Sequence, residues 1–138
     1  MNTKFQSVIE ELKRAVAEER KLTTRILALL RQVDDGRWYL DLGYSSLFDF
    51  AVRELGYAHD AAHRRISAMR LVRDVPQLEG KIETGALSLS VVCEATKFLR
   101  AEKKAGIVRG LEEKRGLVMG LEGLSKRDAE RALLQKAA

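Results

Sequence analysis

Cysteine, proline and aromatic residues are scarce in this sequence of 138 residues, which has one Cys, one Pro and only 6% Phe, Trp and Tyr together. The single cysteine, Cys93, excludes an intramolecular disulfide framework and a paired-cysteine zinc site, and it points to a reducing compartment. One proline excludes a proline-rich linker or tail. Long apolar runs are missing too. The longest, Ile26 to Leu30, falls far short of the roughly 18 residues that a membrane span needs. No apolar stretch of the secretion-signal kind follows Met1 to Phe5, so a cytoplasmic location is expected.

The residues that are abundant point one way. Apolar residues make up 46% and charged residues 33%, a globular rather than a disordered balance. Ala, Leu, Glu, Lys and Arg dominate, no segment alternates with period two, and the expected fold is all-α. The net charge is +5, a mild attraction for a polyanion. Most of the excess lies at residues 97–138, which carry eleven basic and six acidic groups. A second focus is Arg64, Arg65, Arg70 and Arg73.

Residues 4 to about 33 read as one long helix. Phe5, Ile9, Leu12, Val16, Ile26, Leu30 and Val33 follow a four–three spacing that Glu19 and Thr23 interrupt. Thirty helical residues would span about 45 Å, more than so small a domain can cover, so the stripe is read either as packing on its own core or as a homodimer seam. Asp34-Asp35-Gly36 ends this helix. A short helix follows from Arg37 to Leu42. Ser45 or Ser46 then caps a helix through Leu55, which Gly56 closes. The next helix runs from about Ala58 to Asp74 and stops ahead of Pro76. Its Ala62, Ile66, Met69 and Val72 share one side. Asp60, Arg64 and Ser67 lie opposite, with His63 and Arg70 at the edge. A short helix from Gln77 to Thr84 ends at Gly85, and Ser88 or Ser90 opens another to about Arg100. A glycine-loosened stretch follows to Gly123, and a last helix starts with the Ser125-x-x-Asp128 box. The expected division is a long helix at 1–35, a helix-turn-helix core at 36–100 and a basic helical segment at 101–138.

The pair 46–55 and 58–74, joined by a tight turn at Gly56, has the layout of a helix-turn-helix. In that layout the first helix braces the second in the major groove of double-stranded DNA. An ordinary helical hairpin with a solvated basic face gives the same pattern. On the DNA reading, His63, Arg64, Ser67 and Arg70 are the candidates for groove contacts, and Arg65, Arg73, Lys126 and Arg127 for phosphates. About five phosphate contacts would give a log–log salt slope near −4 to −5.

The block Leu42-Gly43-Tyr44-Ser45-Ser46-Leu47-Phe48-Asp49-Phe50 resembles the helical region upstream of the nuclease module in bacterial HNH endonuclease-like proteins. Arg53 to Tyr57, His63 to Ile66 and Gly85 to Ser90 continue the resemblance, and Ser125 to Glu130 is similar to the segment that closes that region. More distantly, Pro76, Gly85 and Leu87-Ser88 resemble the stretch after the helix-turn-helix of ParB-type partition proteins, although Gly56 to Pro76 is about one helical turn longer here. The resemblance implies a DNA-binding or assembly part. It does not imply a nuclease, because an HNH site needs histidines on a ββα-metal scaffold and this sequence has only His59 and His63, on one helix.

His59-Asp60-Ala61-Ala62-His63 has the spacing of a metalloprotease helix, but no third ligand follows, and neither a metal nor another cofactor is expected. Cys93 reads as a small core residue, and Trp38, Tyr39, Tyr44 and Tyr57 as packing anchors rather than base-stacking platforms. The expected function is non-catalytic binding of double-stranded DNA by a homodimer, without a membrane. A helical protein-interaction or dimerisation module is the alternative.

Overall fold

The computed structural model describes residues 3–137, which form eight helices and no strand, an all-α fold. They are α1 (Thr3–Gly36), α2 (Trp38–Asp41), α3 (Leu47–Arg53), α4 (His59–Asp74), α5 (Leu78–Thr84), α6 (Leu89–Lys104), α7 (Leu111–Met119) and α8 (Lys126–Ala137). None of the described helices is long and apolar enough to cross a membrane.

Three helix starts use the same bond. The hydroxyls of Ser46, Ser88 and Ser125 accept from the amides of Asp49, Val91 and Asp128, at 3.0, 3.1 and 3.1 Å. Each satisfies a donor that the first turn leaves without a partner. The Asp49 carboxylate accepts from the Ser45 amide at 3.4 Å, one residue ahead of the usual return arm of a capping box. Gly85 ends α5 at φ +85°, a left-handed turn that a side chain strains. Helix α6 runs past Arg100 to Lys104, four residues further than expected, and stops just ahead of Gly106. Gly110 and Gly120 flank α7 and only Gly116 lies inside it, so most glycines of this stretch punctuate the chain rather than weaken one helix.

The packing is layered: α1 lies on α4, α4 on α6, and α6 on α8. Helix α5 bridges α1 and α4, and α3 rests on α4. Met69, Leu78, Leu87, Val91, Val92, Val118 and Leu121 are fully buried in the shared core. Burial of each such side chain contributes about 1.5–3 kcal/mol.

Helix α4 is therefore the central helix, which corrects the expectation of a one-sided helix with a free basic face. Ala62 and Ala68 are sealed and Ser67 is 4% exposed, small residues that let neighbouring helices approach closely. Only His59, Asp60, Arg70 and Asp74 of α4 are exposed.

Helix α1 buries side chains in the bundle only along its C-terminal half. Its buried residues are Thr24, Leu27 and Leu30. None of residues 3–19 is buried, and that length of helix extends for about 25 Å. Phe5, Val8 and Leu12 are exposed along it, with Ile9 and Val16 half-buried. Trp38 is also exposed, contrary to its reading as a packing anchor, whereas Tyr39, Tyr44 and Tyr57 do pack on the core.

Candidate nucleic-acid interface

The eight sequence-nominated residues separate into two groups. His63, Arg64 and Lys126 line one open depression of about 160 Å³, together with Asp60, Ser90, Cys93, Glu94 and Lys97. It lies where the N-terminal halves of α4 and α6 meet the first residue of α8. The caps of Ser88 and Ser125 fix the starts of α6 and α8 here. Arg127 follows Lys126 on α8 and is exposed.

The electrostatics of the depression centre on Glu94, whose side chain is 10% exposed. Lys97 and Lys126 share one of its oxygens, at 3.5 and 3.8 Å. Arg64 and Arg127 have no ion-pair partner among the described residues, so the positive charge outweighs Glu94 and Asp60. His59 flanks the site, its ring edge-on to Phe48 of α3 at 5.4 Å between centroids. The partial positive charge of the α4, α6 and α8 N-termini adds to the positive potential here.

The other four nominated residues are engaged elsewhere. Ser67 is enclosed in the core and cannot meet a ligand in this fold. Arg65 lies over the Tyr57 ring at 4.6 Å and donates to the Ala61 carbonyl at 3.1 Å. Arg73 donates to Asp34 at 2.9 Å and Asp35 at 2.7 Å, pinning α4 to the end of α1. Arg70 leans on the same Asp34 at 3.9 Å. Of the C-terminal cations, Arg109, Lys114 and Arg115 are also held by internal carboxylates.

Lys97 and Glu94 were not among the nominated residues. Ser90, Glu94 and Lys97 recur at i, i+4 and i+7 on α6, a polar strip that its apolar neighbours Val91, Val92 and Ala95 obscure. Among the described residues no three His, Cys, Asp or Glu groups come together in a way that could hold a metal ion. Compared with protein-family models, curated proteins and solved structures, the chain matches none.

Proposed function

We propose that this chain binds double-stranded DNA without catalysing a reaction, through the end of the bundle where α4, α6 and α8 begin. The observation that supports this most is the convergence of His63 and Arg64 with Lys126, far apart in sequence, on one cationic depression. Burial of Ile66, Ser67, Ala68, Met69 and Leu71 in the middle of α4 argues against laying that helix lengthwise in a groove. Its N-terminal turn is the part that would meet base edges, as N-terminal residues of recognition helices do. Lys97, Lys126 and Arg127 would contact the flanking phosphates, and Arg64 a phosphate as well as a base edge.

The proposed binding unit is a homodimer joined through the exposed stripe of α1. The same stripe favours a second reading, an interaction module with no nucleic-acid role. A mobility-shift titration of the full chain on random duplex DNA at 50 and 300 mM salt, paired with heparin retention, separates the two. DNA binding predicts a shift at low salt that high salt abolishes; a protein that neither shifts duplex nor stays on heparin is the interaction module. Leu12→Glu places a charge in the stripe and is expected to give monomers in sedimentation. An unchanged molecular mass in this variant would remove α1 from the interface.

A further inference from the structure

An open cleft of about 390 Å³ lies away from this interface, between the C-terminal halves of α4 and α6 and the loop that leads into α7. Its volume is within the range of small-molecule pockets, about 300–1,000 Å³. The floor is aliphatic, from Leu71 and Leu99, with Ile107, 50% exposed, at its edge. The rim is cationic, from Arg70, Arg100 and Lys103.

Charge accounting decides what such a cleft can take. Its lining holds two carboxylates, Asp74 and Glu102. Each is already bridged to a cation of the same lining. Lys114 reaches Asp74 at 3.3 Å, and Arg109 grips Glu102 with two bonds of 2.6 and 2.9 Å. The Arg109 bonds hold the Glu102 carboxyl below the usual carboxylate range, against the opposing effect of partial burial, so Glu102 stays charged and occupied. Arg100 and Lys103 have no carboxylate partner among the described residues, and Arg70 has only the 3.9 Å approach of Asp34. The two bridges also fasten α7 to α4 and the 105–110 loop to α6, so the walls are set before a ligand arrives.

We infer that this cleft binds a small amphipathic anion, an aliphatic chain with one carboxylate head. The chain would cover Leu71, Leu99 and Ile107, and the head would meet Arg70, Arg100 and Lys103. Guanidinium forks suit a carboxylate because two parallel N–H groups match its two oxygens. The site is distinct from the DNA-facing depression and stands or falls independently of it.

The test is calorimetric titration of the intact protein with decanoate, decanol and inorganic phosphate. Decanoate is expected to bind saturably at one site, with decanol and phosphate at least ten-fold weaker. Arg100→Glu combined with Lys103→Glu should weaken decanoate at least ten-fold. Ile107→Asp, in an exposed loop that leaves the core untouched, should do the same by spoiling the floor. Cations that serve only to offset the C-terminal end of α6 would lower Tm on reversal and leave decanoate affinity unchanged, and that result overturns the inference. So would equal affinity for decanol or for phosphate, or the absence of saturable decanoate binding.

Discussion

Removing Arg64 and Arg127 together tests the DNA interface most directly, because neither is tied to a carboxylate among the described residues. Four cations are counted at this end of the bundle: Arg64, Lys97 and Lys126 line the depression, and exposed Arg127 follows Lys126 on α8. If each neutralises one phosphate, the log–log salt slope is about −3.6 per bound protomer. Affinity then falls about 150-fold between 50 and 200 mM salt. Arg64→Ala with Arg127→Ala leaves two phosphate contacts, a slope of about −1.8 and a fall of only about 12-fold over the same interval. The halving holds whether one or two protomers engage the duplex, since each loses half its contacts. If Arg64 also meets a base, affinity at fixed salt drops by a further 1–3 kcal/mol or so. Fluorescence anisotropy of a labelled random duplex, titrated at four salt concentrations, reads both quantities. Ser67→Ala is the control, and its buried position predicts unchanged affinity and slope. A double variant that keeps the parent slope would refute the assignment of this surface.

Three further outcomes follow from contacts elsewhere in the bundle. Arg73→Ala breaks the bonds to Asp34 and Asp35 and should cost about 1–2 kcal/mol, since the site is only partly screened from water; thermal unfolding would show it, with DNA affinity unchanged. Glu102 has a lowered folded-state pKa, so the stability it contributes is complete above the ordinary glutamate pKa and is lost as pH falls through the folded value. Glu102→Gln should therefore flatten the acid limb of a stability-against-pH curve, and an unaltered limb would count against the bridge. Alanine at Gly56 or Gly85 imposes a left-handed side chain at about 1–2 kcal/mol each. Gly85→Ala should lower Tm more, because its Cβ would meet the Arg20 guanidinium at 2.5 Å, whereas Gly56 faces open space; equal losses would mean that Arg20 swings aside freely.

The helices were legible because their boundaries are written in local chemistry. Ser46, Ser88 and Ser125 open helices, Gly85 closes one and Pro76 forces another to stop, each within a few residues of its effect. The position of α4 was not legible, since hydrophobic periodicity gives Ser67 and Ala68 little weight, yet both are buried in a helix that packs on α1 and α6. Arg70 and Arg73 looked available because Asp34 and Asp35, the carboxylates that engage them, lie nearly forty residues earlier. Part of the candidate site was readable from charge alone, in His63, Arg64, Lys126 and Arg127. Lys97 emerged only once α6 was seen to run beside α4.

The exposed N-terminal half of α1 has one more consequence. A helix of this size that buries none of its side chains is marginal in water, with much of its stability left to whatever covers it. Backbone amides of residues 3–19 should therefore trade hydrogen for deuterium rapidly in a dilute single chain, while those near Leu27 and Leu30 are slow. Raising the protein concentration would slow the first set and leave the second unchanged, so this segment's isotope uptake serves as a built-in gauge of self-association.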